Sequence, residues 1–196
     1  MAGPVAILKP EITGFHKSGE AFGLELDEEH HFSAEAVDDA TVLAVKRSAI
    51  MGLAARDMYF AHQLWAVTAR AHQRVRNHIV VLGCMNARQR VAAFLLLMVP
   101  RSLSDAEIEL SMSRRDIADY LGLTIETVSR TMTQFEKEAV IGLASTRRIV
   151  LQDRAALTRL AANDNSTTSC GYCDTRTQLS LLADRPNGGS NLLASM

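Results

Sequence analysis

The spacing of apolar positions changes rhythm along the chain, and each rhythm predicts an element. Between Asp57 and Gly83, the residues Leu64, Thr68, Ala71, Val75, His78 and Leu82 recur alternately four and three positions apart. An interval averaging about 3.5 residues keeps one stripe straight along a helix, as in the seam of a two-stranded coiled coil. A helix packed on its own sheet is the other reading, because Thr68 and His78 are weak seam residues. Asn86 to Pro100 predicts an amphipathic helix with Val91, Phe94, Leu95 and Met98 inward and Pro100 as its stop. Arg101 to Leu110 is polar enough to predict an exposed connection. Nearer the start, His31–Val37 alternates apolar and polar residues, and Thr41–Lys46 is rich in β-formers. Both predict strands of an antiparallel sheet that turns at Asp38-Asp39.

From Ser113 to Glu138 the rhythm is that of two short helices and a tight turn. Ser113 can cap the first helix, and Asp116, three residues on, completes a capping-box-like start. Ile117, Ala118 and Leu121 form its apolar face, where small Ala118 suits a close helix crossing. Gly122 stands where the chain must leave the helix with positive φ, which glycine allows because it has no Cβ. Leu123 plugs the turn, and Thr124 can cap a second helix that buries Val128, Met132 and Phe135. Glu126, Thr127, Ser129, Arg130 and Thr133 then face outward.

This is the layout of a helix-turn-helix, whose second helix lies in the DNA major groove with its N-terminal residues on the bases. An ordinary helical hairpin in a core is the competing reading. Such a hairpin has no need of an acceptor, a hydroxyl and a guanidinium on one face. Glu126 can accept from cytosine N4, Ser129 can touch thymine or bond either edge, and Arg130 can grip guanine O6 and N7. Ser113, Arg114, Arg115, Thr124 and Thr127 sit at helix starts, where amides, hydroxyls and charge meet phosphate. Ile141–Leu143 and Arg148–Leu151 predict a hairpin, the wing of a winged helix, with Arg147 at its turn as a further phosphate contact. Asp153 caps a last helix, Arg154 to Ala162.

Composition changes this picture little. The 196 residues are 47% hydrophobic, enough for one domain or two small ones with a core. A net charge of −1 and a pI near 6.6 carry no global nucleic-acid signature, so a basic face must be local. Arg70, Arg74, Arg76, Arg88 and Arg90 occur without an intervening acidic residue, and Arg114, Arg115, Arg130, Arg147 and Arg148 surround the two-helix motif. No stretch suits a membrane span and no secretory signal opens the chain, which predicts a cytoplasmic protein with reduced cysteines. Cys84, Cys170 and Cys173 are odd in number, which argues against a disulfide framework. Cys170 and Cys173 have metal-ligand spacing but no second pair, and read as part of a polar tail. The chain lacks a phosphate loop, a nucleophile elbow and a zinc-binding His pair, which speaks against an enzyme. His30-His31 lack convergent partners, and Asp116 and Asp119 are explained by capping and an exposed helix face. From Asn163 onward, turn formers without periodicity predict a disordered tail.

The segment MSRRDIADYLGLTIETVSRTMTQFEKE, Met112 to Glu138, resembles the DNA-reading segment of the Crp/Fnr regulators, in particular their rhizobial FixK-like branch. Its ETVSR core, Glu126 to Arg130, is similar to that of Fnr-like members, in which Glu, Ser and Arg read a TTGA half-site. The likeness runs from about Glu11 to about Ala162 and takes in the NARQRVAAFLL and RRIVLQDRAAL runs. It implies an α+β protein with a shortened cyclic-nucleotide-binding-like β-roll over 1–56 and a dimerisation helix over 57–83. A winged helix-turn-helix over 84–162 and the tail over 163–196 complete the implied domains. It further implies a homodimer joined along the Leu64–Leu82 stripe, binding a TTGAT...ATCAA-type palindrome in double-stranded DNA. As an activator, such a protein would work with RNA polymerase on microaerobic respiration or nitrogen-fixation genes. The phosphate-binding elements of a cAMP-binding roll are missing, with Gly19-Glu20 in the wrong company, so no cyclic nucleotide is expected. No cysteine precedes Cys84, so the iron–sulfur sensor of some Fnr-like proteins is not expected, nor is another metal or cofactor. A shortened interaction protein that forms heterodimers with full-length relatives, without activating by itself, shares every local feature and stays open.

Overall fold

The longest element forms where the four-three stripe ran. Asp57 accepts a hydrogen bond from the Phe60 amide at 3.0 Å and starts helix α2, Met58–Cys84, after a short helix α1, Arg47–Ala54. The structure, a computed structural model, describes residues 12–24, 32–99 and 107–162. Of the 27 residues of α2, Val81 alone is buried, so most of this helix lies outside the core. Asn86 and Gln89 then build a reciprocal capping box, Asn86 accepting from the Gln89 amide at 3.0 Å and Gln89 from the Asn86 amide at 2.8 Å. That box starts α3, Ala87–Met98.

Helix α3 is more than amphipathic. Ala92, Ala93 and Leu96 are buried along with the expected Val91, Phe94, Leu95 and Met98. From Val91 on, the helix is apolar on nearly every side, and such a stretch belongs at the centre of a domain. Here α5, Ile125–Lys137, and α6, Arg154–Ala162, both pack on it. Between α3 and α5 come strand β1, Glu107–Glu109, and helix α4, Arg114–Leu121. Strands β2, Ile141–Leu143, and β3, Arg148–Leu151, form the wing and join β1 in a three-stranded antiparallel sheet of order β1-β3-β2. Ile108 pairs with Ile149, and Ile141 with Leu151, so the sheet turns one apolar face onto the helices. Asp153 accepts from the Ala156 amide at 2.8 Å and caps α6.

Two expectations are corrected by these elements. Of the stretch Arg101–Leu110, residues 101–106 lie outside the described residues, and 107–110 are not an exposed polar connection. Ile108 and Leu110 are fully buried, and the Leu110 amide donates to the Arg147 carbonyl at 2.8 Å. Two apolar residues at a spacing of two are too short a signal to read without β3 beside them. The second correction concerns the N-terminal strands. Residues 32–46 are irregular, and Val37, Val42, Leu43 and Val45 are exposed. Strand formation needs a paired edge, and among the described residues these β-prone side chains have none beside them. His31 lies outside the described residues, as do His30, Cys170, Cys173 and the whole of 163–196. The α+β class with a C-terminal winged helix-turn-helix stands.

Residues 12–24 instead pack as an irregular segment beside α2 and the winged domain. Glu20 pairs with Arg74 of α2 at 3.0 Å. Phe15 meets Phe94 edge-on, with centroids 6.3 Å apart, and Tyr120 at 5.3 Å.

Candidate nucleic-acid interface

The two helices of the motif are set by devices no longer than a helical turn. Ser113 Oγ accepts from the Asp116 amide at 3.2 Å, and the Asp116 carboxylate accepts from the Ser113 amide at 2.7 Å. Gly122, at φ 61°, closes α4 in the left-handed conformation, and the Leu123 amide returns to the Ala118 carbonyl at 2.9 Å. Thr124 Oγ1 accepts from the Thr127 amide at 3.2 Å and caps α5. Along α5, Val128, Met132 and Phe135 are buried to 0–1% exposure, which fixes the rotation of the helix. Glu126, Ser129, Arg130 and Thr133 are thereby left on its exposed side.

That face is charged in a graded way. Glu126 is held below the usual carboxylate range, first by a hydrogen bond from its own backbone amide and then by the Thr124 side chain, with the Arg130 and Arg115 charges adding to both. It is therefore an ionised acceptor at the positive end of α5. Arg130 follows one turn later as an exposed donor fork. Arg115 is exposed, whereas its neighbour Arg114 is half-buried with Nη1 out of reach of any hydrogen-bond partner among the described residues. Burial lowers the Arg114 pKa. The wing presents Arg147 and Arg148, both exposed, on a turn that Ser145 Oγ holds by accepting from their amides at 3.3 and 3.0 Å.

The basic stretch on α2 and α3 divides differently from the sequence expectation. Arg70 and Arg76 are exposed, but Arg74 is paired with Glu20. Arg88 pairs with Glu138 at the end of α5 and lies over the Phe135 ring, 5.2 Å from its centroid. The Arg88 bond, then that from Gln134, holds the Glu138 carboxyl below its ordinary range. Arg90 points inward and donates to the carbonyls of Met85, Leu121 and Leu82 at 2.8, 2.9 and 2.8 Å. Both arginines belong by sequence to the phosphate-facing group, and both are instead engaged within the chain, Arg88 at the surface and Arg90 inward. A local signal did exist, because cations in the first turn of a helix oppose its dipole and call for a tertiary partner.

The stripe on α2 is also divided. Leu64, Thr68 and Ala71 are half-buried, with Thr68 Oγ1 donating to the Leu64 and Trp65 carbonyls at 3.2 and 2.9 Å. Val75 is exposed, and so are Trp65 at 72% and Ile79 at 62%. His78 stacks on Tyr120, and the Leu82 carbonyl is bound by Arg90. Among the described residues no helix is long and apolar enough to cross a membrane, and no cluster of His, Cys, Asp or Glu could hold a metal ion.

Two capped helices crossing at a left-handed glycine, followed by a β-wing, define a winged helix-turn-helix protein. Residues 89–160 match the Crp-like helix-turn-helix domain family. The chain is 46% identical over 155 residues to the nitrogen fixation regulation protein FixK of Azorhizobium caulinodans, covering 76% of this chain and 62% of that one. It is 38% identical over 151 residues to FixK of Rhizobium meliloti, covering 76% and 68%. The solved structure of FixK2 from Bradyrhizobium japonicum superposes with a TM-score of 0.57 at 44% identity, covering 59% of each chain. The chain belongs to the Crp/Fnr family of transcription regulators, in its FixK-like branch. It spans 62% of the length of its Azorhizobium relative.

Proposed function

We propose that this protein is a sequence-specific regulator that binds a TTGAT...ATCAA-type palindrome as a homodimer in the cytoplasm. The single observation that carries the reading is the exposed face of α5, where Glu126, Ser129 and Arg130 lie within one turn and opposite the buried Val128, Met132 and Phe135. Glu126, Ser129 and Arg130 read base edges in the major groove. Ser113, Arg114, Arg115, Thr124, Thr127 and Arg147 hold the backbone on either side, Arg114 by emerging from its half-buried position. The dimer forms along α2, on the side of the Leu64–Leu82 stripe where Val75 is exposed; Trp65 and Ile79, outside that stripe, are exposed beside it and widen the contact. The relatives' names, nitrogen fixation regulation proteins, support a role in regulating nitrogen-fixation genes. Activation of these or of microaerobic respiration genes through RNA polymerase is the further part of the proposal.

A salt titration on a TTGAT...ATCAA duplex and on a scrambled duplex tests this reading. Specific binding should exceed non-specific binding by about a thousandfold or more at one salt concentration. Equal affinity for both duplexes would refute sequence-specific recognition. A second reading, a subunit that pairs with longer relatives, is favoured by the exposed Val42, Leu43, Met58 and Trp65. Mixing with a longer relative followed by light scattering separates the two, because a self-pairing protein is already dimeric alone.

A further inference from the structure

We propose that Arg90 is a positioning residue that fixes the angle between α2 and the DNA-reading helices, and with it the half-site separation that the dimer accepts. This rests on the homodimer reading above. The Arg90 guanidinium ties the end of α2 to the end of α4. Its Nη2 donates to Leu82 in the last turn of α2, its Nε to Met85 just beyond that helix, and its Nη1 to Leu121, the last residue of α4. The final carbonyls of a helix lack intrahelical donors and carry partial negative charge, so a cation is favoured there. Arg90 serves two such ends at once, and this requires a planar fork rather than a point charge.

A second contact lies one turn earlier on the same face of α2. His78 stacks on Tyr120 of α4, with centroids 4.1 Å apart and planes inclined by 17°. Residues 78 and 82 are neighbours along a helix, so the two contacts resist rotation of α4 about α2. Gly122 follows Leu121 directly and leads into α5, so the orientation set at Arg90 is passed to the recognition helix. In a dimer joined along α2, that angle sets the distance between the two recognition helices. Correct spacing is what lets two half-sites be occupied together.

The test uses the full chain as wild type, Arg90→Lys and Arg90→Gln. Affinity is measured on the palindrome, on the palindrome with one base pair inserted at its centre, and on a single half-site. Wild type should prefer the native spacing by about 100-fold, because a linked second site is lost when geometry forbids joint engagement. Both variants should narrow that preference to about tenfold or less, with half-site affinity and salt slope unchanged. An unchanged spacing preference in the variants overturns the proposal. A weaker half-site with a smaller salt slope also overturns it, and makes Arg90 a phosphate contact. Wild type that binds the palindrome no better than a half-site removes the dimer reading, and the proposal with it. Should the Arg90 variants fail to fold, His78→Leu addresses the other contact of the same joint. With the dimer intact by light scattering, it should narrow the spacing preference too, and an unchanged preference there, or a narrowing that comes only with loss of the dimer, overturns the proposal.

Discussion

His78 of α2 lies almost flat on Tyr120 of α4, with ring centroids 4.1 Å apart and planes 17° from parallel. Phe15 meets the same tyrosine at 5.3 Å, so Tyr120 joins the N-terminal segment, the long helix and the winged helix-turn-helix domain. Burial first, and the Arg90 charge second, hold His78 below its ordinary 6.5. The unfolded chain therefore takes up this proton at a higher pH than the folded chain does. Stability from the contact is complete above about pH 6.5 and is lost as pH falls through the lowered folded value. Melting curves at about pH 7.5 and about pH 5.5 should show a larger fall for wild type than for His78→Leu. Equal falls would place the titrating group elsewhere.

Base reading, proposed for α5, and duplex holding, proposed for α4, are separated by two substitutions. Arg130→Ala should cost about 1–3 kcal/mol on the cognate duplex and relax specificity at one base pair. Arg115→Ala should weaken all duplexes alike and reduce the salt slope by about one. The readout is affinity on cognate and single-base-changed duplexes over a range of salt. An equal loss on every duplex for Arg130→Ala would make it a phosphate contact.

The exposed stripe of α2 gives a test of dimerisation that differs from one on its inner face. Val75→Asp combined with Ile79→Asp should give a monomer in light scattering with little change in melting temperature, since both side chains are exposed. Leu82→Asp should instead lower the melting temperature, because Leu82 is half-buried beside the Arg90 joint. A double variant that remains dimeric would rule out this face as the seam.

Ala139 holds φ 54° after the last turn of α5, where the Val140 amide returns to the Phe135 carbonyl at 2.9 Å. An alanine pays for its Cβ in this left-handed position and a glycine does not. Ala139→Gly should therefore stabilise the protein by about 0.5–1 kcal/mol after the entropy of the added glycine is subtracted. A urea midpoint that is unchanged or lower would show that the strain is relieved some other way.

The helix-turn-helix was legible because its determinants act over three or four residues. Ser113 with Asp116, Gly122, Thr124, and the Val128–Met132–Phe135 spacing each specify their geometry locally. Once Phe135 and Val128 must be buried, the outward direction of Glu126, Ser129 and Arg130 follows from helix periodicity alone. The wing was legible for a similar reason, since two short apolar runs flank a polar turn at Ala144–Arg147.

Other features depended on residues far apart in sequence. Whether Ile108 belongs to a strand was decided by Ile149, whereas Val42 and Leu43 have no paired edge beside them among the described residues. On α2 a periodic stripe marks a face, but which residues of that face meet the same chain depends on where Tyr120 and Arg90 lie. The guanidiniums of Arg88 and Arg90 look alike in sequence to those of Arg70 and Arg76. Only the folded chain brings Glu138 to Arg88 and the Leu121 carbonyl to Arg90, because a charge seeks whichever partner the packing of the helices leaves within reach.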